Sequence, residues 1–183
     1  MSAIKVFGHK SPDTDTTCSA IVWAWYLNAT GQEAKPYMLG EPNKETAYVL
    51  KRWGAPQPEP LPVLTAEDSV VIVDTSNPQE LPENISDVNV LAVIDHHKLS
   101  GLVTKAPVTM HVRPVACTTT VMYDLMGEKA KDMPEEIAGL MLSCVLSDTL
   151  EFRSPTTTPH DQEVAEKIAA QYGIDMHTLA GEM

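Results

Sequence analysis

The run Val90-Leu91-Ala92-Val93-Ile94 is followed without a break by Asp95-His96-His97. Five successive apolar positions that include three β-branched residues fit a strand covered on both faces, which is the situation of a parallel sheet flanked by helices. In open sheets of that kind ligands collect beyond the carboxyl ends of the strands. One acid and two imidazoles therefore stand where a site would form.

Three other segments repeat the design. Val6-Phe7-Gly8 leads into His9-Lys10-Ser11-Pro12-Asp13-Thr14-Asp15, and Val70-Val71-Ile72-Val73 leads into Asp74-Thr75-Ser76-Asn77-Pro78. An apolar helix from Ile137 to Leu146, opened by Pro134 and Glu135-Glu136, runs into Ser147-Asp148-Thr149. The recruits are Asp13, Asp15, Asp74, Asp95 and Asp148 with His9, His96 and His97. So many carboxylates in one pocket repel one another unless divalent cations balance them. Oxygen donors with a few imidazoles suit Mn²⁺ or Mg²⁺, whereas structural zinc draws on thiolates. Two such ions about 3.5 to 4 Å apart can share a water and clamp both oxygens of a phosphoryl displacement, so phosphoryl hydrolysis is the expected reaction class.

Strand and helix patterns alternate. Strands are expected at Ile4 to Phe7, Ala34 to Leu39, Val70 to Val73, Val88 to Ile94 and Val108 to Val112, the last a polar edge strand. Helices are expected at Thr17 to Asn28 with Thr16 or Thr17 as cap, Lys44 to Trp53, Thr118 to Met126, Ile137 to Leu146 and Thr158 to Tyr172. Pro56, Pro58, Pro60 and Pro62 form a stiff connector on the surface. This order predicts an α/β fold, a doubly wound, mostly parallel five-stranded sheet with helices on both faces, in one domain over residues 1–183.

Composition excludes several roles. A formal charge of -12 and the absence of a Lys/Arg cluster oppose nucleic acid as a partner. No stretch reaches the roughly 20 apolar residues that cross a bilayer, and the N-terminus has no apolar signal region. Cys18, Cys117 and Cys144 are odd in number and widely spaced, which suits reduced thiols and a cytoplasmic location. Cys144 lies one turn before Asp148 but is read as core packing. Trp23 and Trp25 are read as packing one helix, and His111, His160 and His177 as structural or exposed. Thr118-Thr119-Thr120 is read as a helix start that caps itself in preference to touching phosphate. Among Lys10, Lys98, Arg113 and Arg153, Arg153 is the first to test for phosphate contact.

The four segments resemble, in order and spacing, the metal motifs of the DHH phosphoesterase superfamily, and within it the family II, manganese-dependent inorganic pyrophosphatases. Thr14 stands where related oligonucleotide phosphodiesterases typically have Gly, and Pro114-Val115-Ala116-Cys117-Thr118 and Phe152-Arg153-Ser154-Pro155-Thr156 also resemble pyrophosphatase segments. The resemblance implies a dinuclear centre that activates a bridging hydroxide to split pyrophosphate into two phosphates. By it, His9, Asp13 and Asp74 bind one metal, Asp15, Asp74, His96 and Asp148 bind the second, and Asp74 bridges. Asp13, Asp15, Asp74 and Asp148 then balance two divalent ions in formal charge. His97 faces the substrate and Asp95 orients an imidazole. Two Mn²⁺ per chain are implied, with Co²⁺ or Mg²⁺ as substitutes, Mg²⁺ accompanying the substrate, and a homodimer formed through the sheet edge. Family members carry a second, cationic C-terminal domain that the sequence lacks, so weak turnover is expected. The alternatives are a phosphodiesterase acting on short oligonucleotides or cyclic dinucleotides, and a non-catalytic metal-binding or dimerisation module.

Overall fold

The computed structural model describes residues 2–183. Its six strands are β1 (Ile4–Phe7), β2 (Ala34–Met38), β3 (Glu59–Pro60), β4 (Ser69–Val73), β5 (Asn89–Asp95) and β6 (Thr109–Val112). They form one sheet in the order β3-β2-β1-β4-β5-β6, and every pairing is parallel. The α/β class therefore stands, with six strands where five were expected. The proline-rich connector supplies a short sixth strand, because Leu61 donates to the Met38 carbonyl and Tyr37 and Met38 pair with Glu59 and Pro60. Prolines are tolerated there because the strand lies at the edge, where a missing N–H leaves no ladder bond broken.

The helices are α1 (Thr14–Ala29), α2 (Lys44–Trp53), α3 (Thr118–Met126), α4 (Glu135–Thr149), α5 (Pro159–Tyr172) and α6 (Met176–Glu182). Two helices change bounds relative to expectation and one further helix is present, each with its own cap. The Asp13 side chain, not Thr16 or Thr17, accepts from the Thr16 amide, so α1 begins at Thr14. Pro134 is the N-cap of α4, and the helix continues through Asp148 to a left-handed Leu150. Asp175 caps α6, which the sequence pattern did not separate from the loop after α5.

The chain passes from β1 outward to β2 and β3, then returns to the other side of β1 for β4, β5 and β6. Right-handed crossovers thus place connections on opposite faces. Along β1 and β4, Val6, Val71 and Val73 join the core shared by all six α-helices, while Phe7, Val70 and Ile72 join Leu64, Leu81 and Ile85 on the opposite face. That second face is covered by 3-10 helices at Pro78–Glu80 and Ile85–Asp87 and by loops. Complete burial of a side chain such as Ile72 contributes about 2 to 3 kcal/mol. In β5 the run is not buried throughout: Val70 pairs with Val90 but Val71 with Ala92, leaving Leu91 as an extra, 42% exposed residue. This bulge shifts the alternation so that Val90 and Val93 share a face. The order in which strands are added reverses between β1 and β4, and the crevice beyond their carboxyl ends is the switch point where such sheets bind ligands.

Candidate metal centre

β1 is followed by Gly8, buried so closely that an added Cβ would lie 2.5 Å from Thr16 Cγ2 and 2.8 Å from the Val73 carbonyl oxygen. That close approach brings His9 and the start of α1 against the end of β4. Asp74 follows β4 with φ +64, a left-handed conformation that costs a non-glycine residue about 1 kcal/mol or more. Its amide donates to the Ile94 carbonyl at 2.8 Å, which holds the turn against β5.

The Asp74 carboxylate is buried and its two oxygens face different imidazoles. Oδ2 lies 3.3 Å from His9 Nε2, and Oδ1 lies 3.2 Å from His96 Nε2. Thr16 Oγ1 donates to Oδ2 at 2.6 Å and Thr118 Oγ1 to Oδ1 at 2.9 Å, fixing both oxygens. Asp13 Oδ2 is 3.7 Å from His9 Nε2, although Asp13 also caps α1. Asp15 is fully enclosed and accepts from Ser19 Oγ, Cys117 Sγ and the Thr118 amide. His96 Nε2 stands 3.5 Å from Asp15 and 4.0 Å from Asp148. The opposite ring nitrogen, Nδ1, meets the Val115 carbonyl at 3.1 Å, which makes Nδ1 the donor and leaves Nε2 facing the acids.

Two three-residue groups result, His9 with Asp13 and Asp74, and Asp15 with His96 and Asp148, each with donor atoms within 4.8 Å of one another. Asp74, His96 and His97 form a third such group. In that third group His97 is exposed, and its Nδ1 lies 2.7 Å from Asp95 Oδ1 and 3.8 Å from Asp74. Asp95 Oδ1 also accepts from the His96 and His97 amides, so Asp95 shapes the turn as well as the His97 ring.

The charges are strongly coupled. Burial works to lower the His9 pKa, but its hydrogen bond to Asp74 and the acids around it raise it to about 9. For His96 burial is likewise outweighed by Asp15 and Asp74, and the pKa rises to about 11. Burial and the nearby Asp15 charge push Asp148 well above the carboxylate range. Asp15 goes the other way, because its partners His96 and the Thr118 amide outweigh its burial. His97 is raised by its bond to Asp95. Metal-free, the cluster holds protons where cations would sit.

Several residues take places that the sequence pattern did not suggest. Thr118 neither caps itself nor opens toward phosphate: its amide and hydroxyl are spent on Asp15 and Asp74. The segment is pinned from behind by buried Asp161, which accepts from the Ala116 amide and Thr120 Oγ1. Cys117, not Cys144, is the thiol that touches an acid of the cluster; Cys144 Sγ points to the Thr14 carbonyl. No local signal marks these contacts, which join residues far apart in sequence. Arg153 is exposed; its Nε donates to the Leu150 carbonyl at 2.9 Å and its guanidinium lies 4.0 Å from Glu151. His160 and His177 do have acidic partners, Asp124 and Glu151, but outside the cluster.

Comparison with known proteins places this arrangement. Residues 3–145 match the DHH family, N-terminal domain. A Bacillus licheniformis protein named "probable manganese-dependent inorganic pyrophosphatase" is 41% identical over 100% of this chain and 60% of its own length. A Lactobacillus acidophilus protein of the same name is 42% identical over 93% of this chain and 55% of its own. The crystal structure of a Methanococcus jannaschii protein named "putative family II inorganic pyrophosphatase" superposes with a TM-score of 0.86 at 36% identity, covering 98% of this chain and 60% of that one. An exopolyphosphatase-related protein from Bacteroides fragilis shares the fold, with a TM-score of 0.75 at 14% identity over 98% of this chain and 55% of that one. The chain thus spans about three fifths of the length of the relatives it matches. The match over residues 3–145, with the clustered acids and imidazoles at the sheet's switch point, makes this chain a member of the DHH family.

Proposed function

We propose that the chain forms a dinuclear manganese centre that hydrolyses inorganic pyrophosphate to two phosphates. One observation carries the reading: the two Asp74 oxygens lie 3.3 Å from His9 Nε2 and 3.2 Å from His96 Nε2, as a carboxylate bridging two ions requires. The donor set suits such ions. Asp148 Oδ2 is buried without a hydrogen-bond partner, an arrangement that is costly unless a cation satisfies it. His9, Asp13 and Asp74 would hold one ion, and Asp15, Asp74, His96 and Asp148 the other. The oxygen-rich set and the names of the relatives favour Mn²⁺, with Co²⁺ or Mg²⁺ as substitutes and Mg²⁺ accompanying the substrate. Bound there, the pair supplies an activated water and neutralises charge on the transferring phosphoryl group.

The chain's own residues organise the rest. A cavity of about 390 Å³, lined by His9, Asp74, Ser76, His97 and Lys98 among others, adjoins the cluster and would receive the diphosphate. Asp95 holds His97 through Nδ1, leaving Nε2 to donate a hydrogen bond or proton to a phosphate oxygen. Among the described residues lining that cavity, Lys98 is the one lysine or arginine, so the grip on pyrophosphate is weak and turnover by these residues alone is slow. β6 is the terminal strand, and we read its outer edge as the place where two copies pair. A cytoplasmic setting is supported by three buried free cysteines, and among the described residues no helix is long and apolar enough to cross a membrane.

The test is phosphate release from pyrophosphate by the Mn²⁺-loaded chain, set beside cleavage of a dinucleotide. Release from pyrophosphate with the dinucleotide intact is expected. Cleavage of the dinucleotide with pyrophosphate untouched would overturn the proposal in favour of a phosphodiesterase.

A further inference from the structure

Thr14 lies between Asp13 and Asp15, yet the metal reading leaves its own side chain without a task. Its fully buried hydroxyl donates to Glu45 Oε1 at 2.5 Å, and that same oxygen accepts from Ser147 Oγ at 2.6 Å. Glu45 is in the first turn of α2, and Ser147 immediately precedes Asp148 near the end of α4. One carboxylate oxygen therefore ties the start of α1 to the end of α4. Those are the two segments that carry Asp15 and Asp148.

We propose that Glu45 is a positioning residue that sets the spacing between Asp15 and Asp148, and hence the affinity of the cation they share, without touching a cation itself. The inference rests on the two-ion reading above. Asp15 is immobilised by three donors of its own, whereas the buried Asp148 Oδ2 has no partner. In its charged form Asp148 has no side-chain donor to hold it, and its place is left to its backbone. Once a cation has displaced its proton, two forces push the Asp148 carboxylate away from the cluster: repulsion by Asp15, and the negative end of the α4 dipole on which it sits. A bond from the adjacent Ser147 to a fixed point on α2 resists both. The far end of that strap is fixed too. Thr14 spends its proton on Glu45, so the buried Thr46 hydroxyl, 3.1 Å away, donates to Thr14 and closes a chain Thr46 to Thr14 to Glu45, met from the other side by Ser147.

The seat of α2 does not depend on Glu45. Asn43 caps the helix through the Thr46 amide, and Trp53 Nε1 donates to Ser143 Oγ on α4 at 3.0 Å. Removing the Glu45 carboxylate therefore leaves α2 packed and loosens only the strap.

The experiment is titration of the metal-free chain with Mn²⁺, followed by calorimetry and electron paramagnetic resonance, for wild type, Glu45→Ala, Glu45→Gln, Thr14→Val and Thr14→Ser. In Glu45→Ala and Thr14→Val the first ion is expected to bind as in wild type and the second about tenfold more weakly. Glu45→Gln retains an acceptor oxygen and Thr14→Ser a hydroxyl, so both should restore the second ion. Equal weakening of both ions together with a lowered melting temperature of the metal-free chain, or an unchanged second ion in Glu45→Ala, would overturn the strap alone. A wild-type chain that binds fewer than two ions would overturn the metal reading and the strap with it.

Discussion

His96 presents Nε2 to the acids because its Nδ1 is committed to the Val115 carbonyl oxygen, 3.1 Å away. Metal ligation needs a neutral imidazole with one nitrogen free, and this backbone contact makes Nε2 the nitrogen that gives up its proton when an ion binds. The metal-free ring is nonetheless protonated, since Asp15 and Asp74 outweigh burial and raise its pKa to about 11.

Metal binding must therefore displace protons. At pH 7 His96, with a pKa of about 11, and His9, with a pKa of about 9, are both charged in the metal-free chain. Calorimetry of Mn²⁺ binding in buffers of different ionisation enthalpy should report net proton release, and affinity should rise with pH. Heats that are independent of the buffer would contradict the protonated cluster.

The same shifts fix the sign of the metal-free chain's stability. Both pKa values are raised above the ordinary 6.5, so the stabilisation they contribute is fully present below about 6.5 and is lost as pH rises through 9 to 11. Melting temperatures measured without metal should fall across that window. Saturating Mn²⁺ should flatten or reverse the fall, because its ligands are the deprotonated forms.

Asp95 acts on His97 through the 2.7 Å contact that raises the imidazole's pKa. Asp95→Asn keeps the volume and an oxygen for the two backbone amides but removes the charge. Nuclear magnetic resonance of the Mg²⁺-loaded chain should show His97 titrating at lower pH in the variant, with ion binding little changed. Turnover should fall by about a hundredfold, the scale of one positioned acid. An unshifted His97 titration would remove Asp95 from this role.

Gly8→Ala places a methyl 2.5 Å from Thr16 Cγ2 and 2.8 Å from the Val73 carbonyl oxygen. The backbone oxygen cannot turn aside, so the strand end must move, at a cost of about 1 to 3 kcal/mol. Chemical denaturation should show that loss together with weakened binding at His9 and Asp13. A neutral variant would mean that the close approach of β1 to β4 is not needed.

What was legible in the sequence follows from physics that is local. Val70 to Val73 and Val90 to Ile94 announce buried parallel strands by unbroken apolar character, and the acids and imidazoles behind them announce a site at the sheet's end. The two-residue β3 was hidden because Glu59-Pro60 has neither alternation nor β-branching; its pairing with β2 arises from tertiary placement alone. The exposed Leu91 was hidden in an apolar run because a bulge depends on the partner strand's register. Thr16, Cys117 and Thr118 were hidden as supports of Asp15 and Asp74 for the same reason: the contacts cross from 44 to 103 residues of sequence. Asp13 illustrates the boundary, since its capping role is a three-residue pattern while its approach to His9 and Asp74 depends on the fold.

The central claim is that Asp74 bridges two cations. Anomalous diffraction from crystals grown with Mn²⁺ tests it directly. The account requires two peaks per chain about 3.5 to 4 Å apart, one beside His9 and Asp13 and the other beside Asp15, His96 and Asp148, with an Asp74 oxygen on each. A single peak, or two peaks of which only one contacts Asp74, would contradict it.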